Sequence, residues 1–327
     1  MTPPVGHAAA QAAFLAAMRS GALHHAWLLA GPEGVGKATF ARAAALRLLA
    51  EAGGGPELPR GLDVPASHPA RSLVEAGSHP DFRVLIRLTK TSDTGAESVA
   101  RSITIDQVRG LLPMFATTPS LGARRVVVID AIDDLERGGA NALLKSLEEP
   151  PAGTIFLLVS HAPGRLLPTI RSRCRTLRFA ALTDAEVAQV LRIELPEAGE
   201  DEIAAAARAG EGSPGRALRF AGLDVAALDA AIERLMRGGD PGNAERVRLA
   251  QALSAKSAQG RYEAFLDRAP AAIAAAARTR TGVALRAALD AHHAARDLAG
   301  SALGLSLDPQ ATVFEMGGIL AGLASPA

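Results

Sequence analysis

Residues 31–39 read Gly31-Pro32-Glu33-Gly34-Val35-Gly36-Lys37-Ala38-Thr39, set between the apolar run Ala26-Trp27-Leu28-Leu29-Ala30 and a helix-like stretch from Phe40 to Ala50. Strand, glycine-rich loop and helix follow in the order of a phosphate-binding loop. Glycines let successive backbone N–H groups turn inward around phosphate oxygens, and the positive end of the following helix adds to the pull. Lys37 is placed to reach the outer phosphates. The residue after it supplies a Ser or Thr hydroxyl in loops that hold Mg²⁺; here it is Ala38. Thr39 comes one residue late, and a single helical step turns its side chain about 100° away. The candidate nucleotide contacts are therefore Gly31, Gly34, Gly36, Lys37 and Thr39, in a cradle that lacks its metal-binding hydroxyl.

Outward from this loop, strand and helix patterns alternate. Phe82–Leu88 alternates apolar and basic residues and predicts a strand, whereas the polar stretch Thr89–Ala100 predicts an exposed loop. Gly53–Pro69 is rich in Gly and Pro and reads as a loop or insertion. Thr104 with Gln107 forms a capping box that opens a helix toward Leu112. Arg125–Asp130 and Thr154–Val159 are buried-strand patterns, separated by a helix over Ala140–Leu147 that Pro150-Pro151 stops. Such alternation predicts a mostly parallel sheet with helices on both faces.

The character changes after Phe179. Thr183 and Glu186 make a second capping box, and Glu202–Ala209 and Arg216–Phe220 read as short helices around Gly210–Gly215. From Leu223 onward, long Ala- and Leu-rich stretches show no strand pattern. The expected division is an α/β domain over 1–179, a small helical domain over 180–222 and an all-α domain over 223–327.

Composition sets the outer limits. A length of 327 residues suits two domains or three small ones, and 48% hydrophobic residues support packed cores. With only 3% aromatics, Leu, Ala and Val carry the packing, which favours helices. A net charge of +1 excludes a strongly basic nucleic-acid coat. The single cysteine, Cys174, excludes an internal disulfide and argues against a Cys-based zinc site. No leader and no long uncharged apolar run is read, so the expected location is the cytoplasm, away from membranes.

Asp130 ends the second buried strand. An acid there holds Mg²⁺ in nucleotide-hydrolysing P-loop proteins; the bland alternative is a strand terminator that caps the next turn. The following position, where such ATPases place a water-activating Glu, is Ala131, and Asp133 stands two residues further on.

The run Asn141-Ala142-Leu143-Leu144-Lys145-Ser146-Leu147-Glu148-Glu149-Pro150-Pro151, then Phe156–Ser160, then Leu167–Cys174 with Ser172-Arg173-Cys174, resembles bacterial clamp-loader subunits of the AAA+ family. Gly77-Ser78-His79-Pro80-Asp81 and Ile105–Arg109 narrow the resemblance to the delta-prime subunits of DNA polymerase III. It runs from about Ala26 to Cys174, reaches Phe220 through Gly212-Ser213-Pro214-Gly215, and covers the last third by position only.

The resemblance implies an AAA+ P-loop domain, a helical lid and a collar. It also implies that Arg173 acts in trans as an arginine finger on a neighbour's nucleotide, an effect of roughly 10³–10⁵-fold on hydrolysis where such fingers operate. The residue-level alternative is that Arg171, Arg173, Arg175 and Arg178 form a solvated basic run at a strand edge.

Three positions are degraded together. Ala38 replaces the metal ligand, Ala131 the activating Glu, and Gly215 stands where active subunits carry a lid arginine, with Arg216 one place displaced. No intrinsic ATPase is expected, although the resemblance implies membership of a DNA-polymerizing (nucleotidyltransferase) assembly. No cofactor is required on this reading. Weak ATP or ADP binding through Lys37 stands beside an empty loop kept for folding.

Many delta-prime relatives carry a four-cysteine zinc module, and Gly53–Gly77 has no cysteine, only His68, with His79 just beyond it, so no zinc and no other metal is expected. The implied partners are subunits resembling gamma/tau and delta, and through them a sliding clamp and primed DNA. An active ATPase resembling gamma/tau is the enzyme alternative, favoured by Lys37 and Asp130. A DNA-binding helicase subunit is the third reading, with only scattered Arg after Leu223 to support it.

Overall fold

A computed structural model describes residues 4–91 and 97–324. The chain divides into two compact units, Met1–Glu194 with Gly212–Gly215, and Leu195–Glu211 with Arg216–Ala327.

The first unit is built on a five-stranded sheet. Its strands are Ala26–Ala30 (β1), Phe82–Ile86 (β2), Arg125–Asp130 (β5), Thr154–Ser160 (β6) and Arg175–Arg178 (β7), in the order β2-β5-β6-β1-β7. Every pairing in it is parallel. Two further strands, Thr89–Thr91 (β3) and Glu97–Val99 (β4), pair antiparallel as a separate hairpin. The polar stretch expected to be a loop is thus a hairpin in its described parts, and residues 92–96 lie outside the described residues. Its polar alternation lacks the apolar face that marks a half-buried strand, which is why the sequence reads as loop.

Alternation along the central strands splits the core into two layers. Trp27, Leu29, Val126, Val128, Ile155, Leu157 and Val159 face one way, against the helices Ala8–Arg19 and Lys37–Gly53. Leu28, Val127, Ile129, Phe156 and Leu158 face the other, against Ile105–Arg109 and Arg137–Glu148. Strands buried on both faces are what a parallel sheet covered by helices requires.

Four aromatics cluster in the first layer. Phe14 meets Trp27 edge-on at 5.1 Å and Phe40 at 5.6 Å, and Phe40 meets Phe179 at 5.1 Å. Both capping boxes form: Gln107 N–H donates to Thr104 Oγ1 at 3.4 Å, and Glu186 N–H to Thr183 Oγ1 at 3.3 Å.

The second unit is helical among its described residues. Leu228, Ile232 and Leu235 of Val225–Gly238 pack with Phe265 and Ile273 of Gln259–Ala277 and with Val313, Met316 and Leu320 of Pro309–Ala321. Arg268 forks onto Asp229, with Nη2 at 2.5 Å from Oδ2, and caps the carbonyl of Ala209 at 3.1 Å. The helix Gly282–Leu305 buries only Ala288, Ala295 and Ala302, and leaves Val283, Leu303 and Leu305 exposed. Among the described residues, no helix is long and apolar enough to cross a membrane.

Candidate nucleotide site

The loop after β1 has the shape its glycines allow. Gly34 and Gly36 sit at φ 74° and 98°, in the left-handed region that disfavours any side chain. A Cβ on Gly31 would lie 2.1 Å from Phe179 O, so only glycine lets the loop pass the end of β7.

Within that loop Lys37 is turned inward and 2% exposed. Its Nζ donates to Gly31 O at 2.7 Å and to Pro32 O. The ammonium thus bonds the carbonyls of its own loop. Burial brings its pKa down to about 8, against the opposing pull of Asp133, Asp130 and Glu33.

Two other segments close on the same loop. The His7 ring nitrogen Nε2 lies 2.8 Å from Val35 O, and the ring packs edge-on against Phe179 at 4.7 Å. The strap Gly212–Gly215 crosses the loop from another direction. Ser213 Oγ donates to Glu33 O at 3.0 Å, and Gly215 N–H donates to Gly34 O at 2.9 Å. A Cβ on Gly215 would stand 3.0 Å from Gly34 Cα, so the position expected to hold a lid arginine in active relatives is here a backbone-to-backbone contact. Arg216, its displaced neighbour, is engaged by Glu211 and Asp267, both at 2.8 Å.

The acids of the site have separate tasks. Asp130 ends β5 with its pKa raised by burial, offset in part by His161, Arg42 and Lys37. Ala131 beside it is buried. Asp133 accepts from Ser160 Oγ at 3.0 Å, His161 N–H at 2.7 Å and Ala162 N–H at 3.1 Å. Its carboxylate holds the turn after β6. Thr39 lies half-buried in the first helical turn. Gly31, Gly34, Gly36, Lys37 and Asp130 are thus gathered at the carboxyl ends of β1 and β5, where parallel sheets of this kind take their ligands.

Arg173 lies elsewhere. β7 starts where β1 starts, because Arg175 pairs with Trp27 and Arg178 with Ala30. Gly31 follows Ala30 at the far end, about 13 Å along the strand from Trp27 at ~3.3 Å per residue. The guanidinium of Arg173 therefore occupies the sheet end opposite the chain's own phosphate loop. It bonds Thr169 O at 2.9 Å and Glu148 Oε1 at 2.7 Å. Cys174 beside it is half-buried, and burial pushes its thiol up to about 12.

His68 and His79 have local roles. His68 caps Pro69–Glu75, its Nδ1 accepting from Ala70 N–H at 3.2 Å. His79 Nδ1 accepts from Asp81 N–H at 3.2 Å, and Asp81 takes the N–H groups of Ser120 and Leu121, both at 2.8 Å. Among the described residues no three His, Cys, Asp or Glu gather as a metal site. His7 carries no local motif for its contact with Val35, and the Gly212–Gly215 motif does not of itself show that Ser213 bonds Glu33.

The family model for DNA polymerase III, delta subunit, matches residues 6–183, more than half of the 327. This chain belongs to that family. A DNA polymerase III subunit delta′ of Pseudomonas aeruginosa is 38% identical over 205 residues, 62% of this chain and 57% of that protein. The subunit delta′ of Escherichia coli is 33% identical over 204 residues, 62% of this chain and 56% of that protein. A subunit tau of Escherichia coli is 33% identical over 219 residues, 65% of this chain and 31% of that protein. The chain thus spans a little over half the length of the delta′ relatives. The resemblance to delta-prime subunits read from Gly77–Asp81 and Ile105–Arg109 is borne out by this membership.

Proposed function

We propose that this chain is a non-hydrolysing, delta-prime-type subunit of a cytoplasmic clamp loader in DNA replication. It works beside subunits resembling gamma/tau and delta, and through the assembly helps open a sliding clamp and load it onto primed DNA. Its P-loop domain over 1–179 is followed by a lid over 180–222 and a collar over 223–327. The exposed Val283, Leu303 and Leu305 are the surface a neighbouring collar would cover.

One observation carries the reading: the phosphate loop and Arg173 stand at opposite ends of one sheet. An arginine so placed is out of reach of its own loop, and a nucleotide it serves belongs to another chain. A guanidinium is permanently charged and forks onto phosphate oxygens, which suits it to that part. The degenerate site, with Gly31, Gly34, Gly36, Lys37, Thr39 and Asp130, takes ATP or ADP weakly at most, and the protein requires neither nucleotide nor zinc. Lys37 bonded to its own loop and Gly215 seated on Gly34 support this.

The test is reconstitution with candidate loader subunits. The wild-type chain should support DNA-stimulated ATP hydrolysis by its neighbours. Arg173→Ala should assemble normally and lose most of that hydrolysis. Phosphate release by the isolated chain, abolished by Lys37→Ala, would favour the gamma/tau-like alternative.

A further inference from the structure

Glu148 is the last residue of the helix Arg137–Glu148, where the negative end of the helix dipole disfavours an acid. Helix stability gives no reason for a carboxylate there. The contact it makes does: Oε1 receives Arg173 Nη2 at 2.7 Å, while Nη1 of the same guanidinium donates to Thr169 O at 2.9 Å. The pair joins two segments far apart in sequence and fixes the position of a long side chain that would otherwise sample many rotamers. Both partners remain partly open to water, the arginine side chain at 33% and the glutamate at 49%.

We infer that Glu148 is a positioning residue that docks Arg173 on its own chain and releases it to a phosphate. The inference rests on the reading of Arg173 as a finger in trans and adds its regulation. A half-exposed ion pair in water is weak and screened by salt, so it breaks readily. A triphosphate presented by a neighbour carries more charge than one carboxylate and offers oxygens that a guanidinium grips bidentately. The finger then exchanges one anion for a stronger one. Without a nucleotide opposite it, the charge stays neutralised at home, and an empty neighbour is not engaged. Glu148 thus sets the concentration of nucleotide at which the finger commits.

Two measurements separate this inference from the reading beneath it. In the isolated chain, the rate at which phenylglyoxal modifies Arg173 is followed by peptide mass spectrometry. Glu148→Gln should raise that rate roughly 1.5- to 5-fold, the range expected for loss of an exposed pair. Added salt should raise it in the wild type and not in the variant. In the reconstituted assembly, Glu148→Gln should lower the half-saturating ATP concentration by a similar factor with little change in maximal rate. Glu148→Asp, one methylene shorter, should behave as the Gln variant does.

An Arg173 modification rate unchanged in Glu148→Gln overturns the docking inference even if Arg173→Ala abolishes neighbour hydrolysis. A faster modification rate together with full hydrolysis by Arg173→Ala overturns the finger reading instead, and the regulatory role falls with it. A half-saturating concentration that rises in Glu148→Gln also overturns the inference, since the carboxylate would then be assisting the phosphate-engaged state.

Discussion

Gly215 and Gly34 touch through their backbones: the N–H of one donates to the carbonyl of the other at 2.9 Å, with a hypothetical Cβ on Gly215 only 3.0 Å from Gly34 Cα. Neither side of that contact is a flexible side chain that could swing away. Gly215→Ala should therefore cost about 1–3 kcal/mol, the usual price of overpacking. Gly300→Ala is the control. It meets nothing within 4 Å inside a helix, and should gain roughly 0.5–1 kcal/mol. Urea midpoints of the two variants should move in opposite directions. Gly215→Arg, which restores a lid arginine by sequence, should restore no ATPase. An active, stable Gly215→Arg protein would show that the strap is not seated on the loop.

Asp81 takes a heavier load than its position in an exposed-looking Gly-Ser-His-Pro-Asp run suggests. It is 3% exposed and accepts from Ser120 N–H through both oxygens, at 2.8 and 2.9 Å, and from Leu121 N–H at 2.8 Å. Asp81→Ala leaves these donors without their acceptor and should cost about 1–3 kcal/mol. Asp81→Asn keeps one acceptor oxygen and should fall between. A thermal midpoint for Asp81→Ala matching the wild type would mean that the turn over 117–121 finds other acceptors.

Much of this architecture is legible in the sequence because its strands are buried on both faces. Arg125–Asp130 and Thr154–Ser160 are near-continuous apolar runs, and the glycine pattern of 31–36 places the loop between strand and helix. The strand Arg175–Arg178 is legible only as a basic run at a strand edge, without its bounds: it lies at the sheet edge, three of its four residues are exposed, and only Leu177 is buried. Charged residues on an edge strand discourage unwanted pairing and erase the apolar signal at the same time. The candidate site divides in the same way. Lys37 and Asp130 announce themselves through local spacing. The contacts of His7 with Val35 and of Ser213 with Glu33 depend on tertiary approach across 28 and 180 residues, which no local pattern encodes.

Cys174 should be chemically quiet. The thiolate is the reactive form, and burial raises this thiol to about 12. At pH about 8, the thiolate fraction is then roughly 10³-fold lower than for a free cysteine. Iodoacetamide should label the native protein slower by about that factor, and urea should restore the ordinary rate. Rapid native labelling would contradict the burial that raises the Cys174 thiol.

Lys37 couples the phosphate loop to pH. Its pKa is about 8 in the folded protein and 10.5 when unperturbed. Below about 8 both states carry the proton, and the folded state bears the full cost of a buried charge. Between about 8 and 10.5 the unfolded state binds more protons than the native one, so stability rises with pH across that window. Lys37→Met removes the titration. The stability of the wild type relative to Lys37→Met should therefore increase from pH about 8 to about 10.5, by on the order of 1–3 kcal/mol, as read from urea midpoints. A difference that stays flat over that range would show that the ammonium is not desolvated in its loop. The same assay reads the nucleotide site at neutral pH. A ligand held only by the native state stabilises it by RT ln(1 + [L]/Kd), which is about 0.4 kcal/mol when its concentration equals Kd. With Lys37 bonded to Gly31 O, millimolar ATP should shift the wild-type midpoint by no more than about that amount, and a shift of several kcal/mol would mean that the lysine leaves its carbonyls for phosphate.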